Sequence, residues 1–245
     1  MPASIRAFDS MIEGAVKHFW EERTRAANNQ RERGVVDQGN RSGVTAGKNL
    51  DGFVEMVKQI IVDNGISNYE IYTTGRAELT IPGYYRATKN WDLLVVSNKK
   101  LVAAIEFKSQ VGPSFGNNFN NRVEEALGNA IDLNRAYQEG AFGESQKPFM
   151  GYFFVLEDCP GSTGSVRFSS PHFKTLPEFN NTSYAQRYEI LCRKLVQDQL
   201  YDAAALLLTK KESFSTGAHI SLSELTSPRR FAATLAGKMS GMALE

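Results

Sequence analysis

Two acidic residues and a lysine lie at the ends of two short apolar stretches within residues 90–110. Asp92 opens the first stretch, and the second stretch closes with Glu106 and Lys108. Because side chains alternate across a strand, Glu106 and Lys108 point to one face while their apolar neighbours point to the other. Two carboxylates beside one lysine can hold a divalent metal ion and activate a water molecule against a phosphate.

The polar residues 97–100 separate the two apolar stretches and predict a β-hairpin. Asp92 and Glu106 share a face only if they lie opposite each other in the antiparallel pair. A four-residue loop would place Asp92 opposite Ile105, on the wrong face. A three-residue loop, residues 98–100, would pair Asp92 with Glu106. We therefore predict an odd-numbered loop or a β-bulge in this hairpin.

Composition indicates an ordinary globular protein. The chain has 245 residues, 42% of them hydrophobic, which is enough for one large domain with a substantial core. No stretch approaches the roughly 18 apolar residues of a membrane span, and the first ten residues lack the order of a signal peptide. We therefore expect a cytoplasmic protein with no membrane partner. Two cysteines and three scattered histidines suggest neither a disulfide framework nor a zinc site.

Helical and strand patterns surround the charged hairpin. Helices are predicted over residues 4 to about 27, 50–64, 122 to about 139 and 227 to about 239, and strands over residues 69–73 and 148–156. Tyr184, Tyr188, Leu191 and Leu195 predict a further helix, whose pattern allows continuation through Leu208. Asn121 and Glu124 have capping-box spacing at the start of the third helix. This order predicts a single α/β (α+β) domain over residues 1–245, with a central mixed β-sheet flanked by helices and a catalytic core at about residues 50–157.

Two polar segments are candidate nucleic-acid contacts: residues 28–49, nearly free of large apolar side chains, and residues 110–122, rich in glycine and asparagine. Their arginine, asparagine, glutamine and lysine side chains hydrogen-bond phosphates and base edges. The alternative is that both are plain loops. Since the net charge is only +1, any positive potential for a phosphate polymer must be concentrated in a cleft.

The order of Asp92, Glu106 and Lys108 resembles the PD-(D/E)xK nuclease superfamily, with Trp91 where the motif names proline. The run EFKSQVGPSFGNNFNNRVEEALGNA, residues 106–130, is similar to the XhoI-type restriction endonuclease family, whose length also suits this chain. The resemblance implies a PD-(D/E)xK restriction-endonuclease-like fold. It also implies a type II restriction endonuclease that cuts double-stranded DNA at the palindrome CTCGAG and leaves 5′-phosphate ends with 5′ overhangs.

The resemblance further implies Mg²⁺ as the cofactor, bound by Asp92, Glu106 and the backbone carbonyl of Phe107, with Glu55 as an additional candidate ligand. Lys108 would hold the attacking water and offset charge in the transition state. A palindromic target implies a homodimer in which each subunit cuts one strand, together with a companion DNA methyltransferase for the same site.

Under this resemblance, the candidate DNA contacts are the side chains suited to guanine, adenine and phosphate. They are Asn117, Asn118, Asn120, Asn121, Arg122, Arg31, Arg33 and Arg41. Two other functions remain open at this point. A structure- or damage-specific nuclease of the same superfamily would give no discrete fragments from intact plasmid, and a non-cleaving DNA-binding module would change no covalent bond.

Overall fold

A five-stranded β-sheet forms the centre of the computed structural model, which describes residues 7–32, 48–65, 69–143 and 146–242. The helices are α1 (Phe8–Glu32), α2 (Asp51–Asn64), α3 (Phe115–Gln138), α4 (Pro160–Thr163), α5 (Tyr184–Gln197) and α6 (Pro228–Met242). The strands are β1 (Tyr69–Tyr72), β2 (Thr80–Pro82), β3 (Thr88–Asn90), β4 (Leu93–Ser97), β5 (Lys100–Gln110), β6 (Phe149–Glu157) and β7 (Ala203–Thr209). Short 3-10 turns cover Lys48–Leu50, Pro177–Phe179 and Lys211–Phe214. Across the described ranges, no helix is both long enough and apolar enough to cross a membrane.

The sheet is mixed, with strand order β1-β4-β5-β6-β7. β4 pairs antiparallel with both β1 and β5, whereas β6 pairs parallel with both β5 and β7. β2 and β3 form a separate two-stranded antiparallel hairpin. The predicted central mixed sheet flanked by helices is therefore confirmed.

Helices cover both faces of the sheet and bury two hydrophobic cores. On one face, α1, α2 and α6 pack so that the ring of Phe153 lies 5.3 Å from that of Phe53 and 5.5 Å from that of Phe231. On the other face, α3 and α5 pack, and Tyr188 stacks on Phe154 at 4.2 Å. Since Phe153 and Phe154 are successive residues that face opposite cores, β6 has to be apolar on both sides.

The continuation of the predicted helix from Tyr184 through Leu208 is wrong. α5 ends at Gln197, and the following apolar run Ala203–Thr209 forms β7. All seven residues of β7 are buried, and the strand pairs in parallel with β6 along its length. Alanine and leucine favour helices in isolation, but a parallel strand covered on both faces is continuously apolar. The pairing with β6 overrides the local preference.

Helix α3 begins earlier than the sequence predicts. Its first residue is Phe115 rather than a residue near Arg122, so most of the expected loop at 110–122 is helical. The rings of Phe115 and Phe119, one helical turn apart, lie 6.1 and 6.4 Å from the ring of Tyr184 in α5. This packing stabilises a first turn rich in glycine and asparagine, which are poor helix formers.

The other expected loop, residues 28–49, also differs from the prediction. Helix α1 continues to Glu32, past its predicted end near residue 27, and Lys48–Leu50 forms a 3-10 turn. Residues 33–47 lie outside the described residues, so the predicted loop stands there as a prediction.

Gly151 in β6 lets helix α6 approach the sheet, and an added methyl group there should destabilise the fold. A Cβ atom at this position would lie 2.9 Å from Phe231 Cζ, 3.0 Å from Phe149 Cε1 and 3.1 Å from Ile105 Cγ1, all in buried side chains. We expect Gly151→Ala to lower the free energy of unfolding by about 1–3 kcal/mol through overpacking, as measured by urea unfolding.

Gly237→Ala is the matched control. Gly237 is an exposed residue inside α6, and a Cβ there would meet no atom within 4 Å. Alanine should therefore raise the free energy of unfolding by about 0.5–1 kcal/mol. Stabilisation by both substitutions would contradict the close packing of α6 against β6.

Candidate active site

The β4–β5 hairpin turns over only two residues, so the three-residue loop is wrong. Ser97 pairs directly with Lys100. Asn98 and Lys99 between them have φ angles of 50° and 63°, the left-handed conformation that a two-residue type I′ turn requires at both positions. Asparagine adopts this conformation more readily than most residues, which favours the tight turn here.

A β-bulge, the other predicted possibility, is confirmed and restores the register that the acidic pair needs. The pairing shifts by one residue in the middle of β4, which leaves Val102 as the extra residue of β5. Beyond the bulge Leu93 pairs with Ile105. The next position outward therefore brings Asp92 opposite Glu106, with both side chains on one face of the sheet.

Asp92, Glu106 and Lys108 form one contact cluster at the beginning of β4. The Oδ2 atom of Asp92 accepts a hydrogen bond from the backbone N–H of Phe107 at 2.8 Å and lies 3.5 Å from Lys108 Nζ. The same Nζ contacts Oε1 of Glu106. Because the N–H and C=O groups of one strand residue point to the same neighbouring strand, the Phe107 carbonyl also points toward this side.

Lys89 completes the cluster, and the sequence analysis missed it. Its Nζ lies 2.9 Å from Oε2 of Glu106, donates to the Asn90 carbonyl at 2.6 Å, and sits 4.9 Å from the centroid of the Trp91 ring. Lys89 lies in β3, which is three residues long and pairs with β2. No alternation pattern of the main sheet could have placed this lysine beside Glu106.

Burial and charge together set the protonation of the cluster. Burial alone would raise the pKa of Glu106, but Lys108 and Lys89 more than offset burial, so its pKa lies below the usual range. Burial and the neighbouring Glu106 carboxylate raise the pKa of Asp92. Burial would lower the pKa of Lys108, but the two carboxylates outweigh burial and raise it. Asp92 is therefore the carboxylate whose negative charge is least compensated.

The cluster lines a cavity of about 760 Å³. Its lining also includes residues of the 3-10 turn Lys48–Leu50, of the start of α2, of the β2–β3 hairpin and of α3. Five basic and four acidic side chains line the cavity: Lys48, Arg86, Lys89, Lys108, Arg122, Asp51, Asp92, Glu106 and Glu125. The formal charge of this lining is five positive minus four negative, or +1, and a bound divalent cation would make the cavity more positive.

Glu55, the additional candidate metal ligand, does not line this cavity. Its carboxylate pairs with Lys58 at 3.2 Å and faces a different cavity between α1 and α2. Glu55 lies one helical turn beyond Asp51, which does line the cavity of the cluster. Partial burial raises the pKa of Asp51, with His18 the main opposing charge. The carboxylate of α2 that is available to the cavity is therefore Asp51.

The four candidate asparagines lie on the first two turns of α3 and not in a loop. Asn117, Asn120 and Asn121 are exposed. Asn118 donates its side-chain N–H to the Ser114 carbonyl at 2.6 Å, a bond within the helix. None of the four lines the cavity, so they are available only to a ligand that extends beyond it.

Among the candidate arginines whose side chains the structure describes, Arg122 lines the cavity. Its guanidinium pairs with Glu125, and 19% of its side chain is exposed. Arg31 belongs to the last turn of α1, where only its backbone is described. Arg33 and Arg41 lie outside the described residues.

The donor set fits a hard divalent cation that keeps several of its waters. Asp92 and Glu106 supply two carboxylates, and Mg²⁺ is usually bound through one or two carboxylates while it keeps several waters. Across the described ranges, no group of three or more His, Cys, Asp or Glu side chains is placed to hold a metal ion. Both carboxylate oxygens of Glu106 contact lysines. A cation would therefore take over part of the charge compensation that these lysines supply.

The chain matches the family model described as "Restriction endonuclease XhoI" over residues 29–221. It is 50% identical over 196 residues to the type II restriction enzyme XhoI of Xanthomonas vasicola, covering 80% of this chain and 78% of the relative. It is 51% identical over 181 residues to BstVI of Geobacillus stearothermophilus (72% and 80% covered). It is 50% identical over 174 residues to AbrI of Azospirillum brasilense (71% and 78% covered). No solved structure gives a significant match.

The buried ion pair between Lys89 and Glu106 should contribute measurably to stability. Their side chains are only 15% and 4% exposed. In a double-mutant cycle of Lys89→Met and Glu106→Gln, read by urea unfolding without metal, we expect a coupling energy of about 1–3 kcal/mol. This coupling energy should be moderate for a buried pair, because in the Lys89→Met single mutant Lys108 still contacts Glu106.

Lys58 and Glu55 provide the matched control pair. Their atoms are 3.2 Å apart, close to the 2.9 Å of the buried pair, but the side chains are 39% and 63% exposed. The same cycle there should give less than about 0.5 kcal/mol. Equal couplings in the two cycles would show that burial does not strengthen the pair at the cavity.

Proposed function

The chain belongs to the XhoI family of type II restriction endonucleases, and we propose that it hydrolyses double-stranded DNA at the palindrome CTCGAG in a Mg²⁺-dependent reaction. The observation that carries this proposal is the convergence of Asp92, Glu106 and Lys108 in one cavity. The target sequence rests on the resemblance to the family and on relatives about 50% identical over most of the chain.

Asp92, Glu106 and the Phe107 carbonyl would hold the Mg²⁺ ion. When bound, Mg²⁺ supplies Lewis-acid chemistry that polarises a phosphate and lowers the pKa of a coordinated water. Burial and the Glu106 carboxylate raise the pKa of Asp92, and a nearby cation would relieve the repulsion between the two carboxylates, which supports this assignment.

Lys108 would orient the attacking water and offset the negative charge that builds on the phosphate during hydrolysis. Its contacts to both carboxylates keep its ammonium group beside the two proposed metal ligands, which supports this role. Lys89 would hold Glu106 from the opposite side. A carboxylate fixed between two lysines loses little orientational freedom when it binds a metal ion, which favours a well-defined reaction geometry.

The products would be 5′-phosphate ends with 5′ overhangs. A palindromic target is read most simply by a two-fold homodimer, each subunit of which cuts one strand. The whole chain would act as a single restriction-endonuclease-like domain with its catalytic core at about residues 50–157. A companion DNA methyltransferase would act on the same site and need not bind this chain.

The proposed DNA contacts fall into two groups. Arg122 lines the cavity and is suited to a phosphate near the reacting one. The asparagines on α3 are suited to adenine edges or to more distant phosphates: Asn117, Asn118, Asn120 and Asn121. Arg31 at the end of α1 remains a proposed contact, as do Arg33 and Arg41 further along the chain.

Incubation with intact plasmid DNA of known sequence tests the function directly. With Mg²⁺ we expect discrete fragments whose ends map to CTCGAG, and with EDTA no cleavage. Glu106→Ala should remove cleavage because it removes a metal ligand and the partner of two lysines.

Glu55→Ala is the matched acidic control and should cut normally, since Glu55 faces another cavity. Uncut plasmid in every lane would refute the restriction-enzyme assignment. Cleavage of branched or damaged DNA alone would indicate a structure- or damage-specific nuclease, and binding without any cleavage would indicate a DNA-binding module.

Lys108→Ala should separate catalysis from binding. We expect cleavage to fall by at least about 100-fold, because the lysine acts mainly in the transition state. The Kd for a duplex containing CTCGAG, measured with Ca²⁺ in place of Mg²⁺, should stay within about tenfold. Lys58→Ala, which removes an exposed lysine of α2, should change neither quantity. A parallel loss of binding and cleavage in Lys108→Ala would contradict the proposed role.

A further inference from the structure

Two tyrosines project side by side from the tip of the β2–β3 hairpin, residues 83–87, which we call the hairpin tip. Tyr84 is 46% exposed and Tyr85 is 70% exposed. Their rings lie 4.8 Å apart in an edge-to-face arrangement. Neither tyrosine belongs to either hydrophobic core, so their rings contribute little to folding through burial.

A buried carboxylate fixes the backbone of the hairpin tip. Asp132 in α3, with 4% of its side chain exposed, accepts hydrogen bonds from the backbone N–H groups of Tyr84 and Tyr85, both at 2.8 Å, and from Arg86 Nε at 2.7 Å. A Cβ atom on Gly83 would lie 2.7 Å from Asp132 Oδ2 and 2.8 Å from the Arg86 carbonyl, so only glycine fits there. The tip is therefore held in one conformation although its side chains face solvent.

The hairpin tip adjoins the cavity that contains the catalytic cluster. Arg86 lines that cavity, and its Nη2 donates to Asn129 Oδ1 at 3.0 Å, another lining residue. Lys89, three residues further along, contacts Glu106 inside the cavity. On the outer side, the guanidinium of Arg135 lies 5.1 Å from the Tyr84 ring and also pairs with Glu139. Two exposed aromatic rings thus stand beside Arg86, which lines the cavity, and beside Arg135.

We propose that the hairpin tip is a DNA-contact element, in which Tyr85 packs against a nucleotide of the substrate and Arg86 approaches a neighbouring phosphate. This inference rests on the proposed function. A rigid tip with exposed rings loses little conformational entropy on binding, which makes it an effective contact. On duplex DNA, an aromatic ring can pack against the sugar–phosphate backbone whatever the base sequence, and arginine adds attraction to phosphate.

The basic surroundings favour DNA over a second copy of this chain as the occupant of the tip. The carboxylate of Asp132, which touches the tip, already binds Arg86 and two backbone N–H groups. Arg86 keeps 42% of its side chain exposed and lies between the tyrosines and the cavity. A DNA duplex with one phosphate at the proposed metal site of Asp92 and Glu106 would pass close to Arg86, which lines the same cavity.

The test compares DNA affinities of tyrosine variants. The probe is a fluorescent duplex containing CTCGAG, titrated by anisotropy with Ca²⁺ in place of Mg²⁺. We expect Tyr84→Ala/Tyr85→Ala to raise Kd by about 10- to 100-fold, as truncation of aromatic side chains at an interface typically does. Tyr85→Phe should bind within about twofold of the unmodified protein, because it keeps the ring and loses only the hydroxyl.

Val62→Ala is the control for loss of an exposed apolar side chain. Val62 is 58% exposed and lies about 17 Å along α2 from Asp51 at the cavity. It should leave Kd unchanged. Melting temperatures and sedimentation of all variants, measured without DNA, separate a loss of DNA contact from unfolding or from loss of a dimer.

Three outcomes would overturn the inference. Unchanged Kd in the double variant, while the unmodified protein binds and cuts CTCGAG, would refute the DNA contact and leave the proposed function intact. Weaker binding that coincides with dissociation of a dimer would assign the tip to the subunit interface. Failure of the unmodified protein to bind or cut DNA would refute the proposed function and this inference together.

Discussion

The buried carboxylate of Glu106 is the constraint on which this end of the molecule depends. A carboxylate in a hydrophobic sheet is unstable unless cations compensate it. Lys108 does so from the same strand, but Lys89 comes from the β2–β3 hairpin, which lies outside the main sheet. That hairpin must therefore be held against the site, and Asp132 of α3 holds it through Arg86 and two backbone N–H groups. The buried carboxylate of Glu106 thus depends on a second buried carboxylate, that of Asp132.

The cavity exists because neighbouring strands of the sheet end at different levels. β4 begins at Leu93, opposite Ile105, whereas β5 continues to Gln110 and keeps its parallel pairing with β6 throughout that extension. The last residues of β5 are therefore supported on one side and open on the other. Such a strand edge can offer backbone groups as well as side chains to a ligand. This fits the proposal that the Phe107 carbonyl is a metal ligand. The apolar cores below keep this edge rigid.

Local alternation was enough to predict the central features of the site, and non-local packing decided what it missed. Side-chain alternation along the two strands predicted that Asp92, Glu106 and Lys108 share a face only if the hairpin is irregular. The β-bulge is that irregularity. Lys89 was not predicted because its position depends on how the β2–β3 hairpin packs against the main sheet, and sequence periodicity does not encode that packing. The early start of α3 depends on Tyr184, far away in the sequence. β7 is a strand only because β6 lies beside it.

The bulge at Val102 divides one strand into two segments that obey different geometric rules. Between the bulge and the turn, the strand pairing is set by the two-residue turn, in which Asn98 and Lys99 adopt the left-handed conformation. On the side of the cavity, the pairing follows what two carboxylates need in order to face each other. The extra residue shifts the pairing register by one position between these segments. The register that closes the turn can therefore differ from the register that brings the two carboxylates onto one face. The hairpin can thereby change its closing turn without rotating its functional side chains out of the cavity.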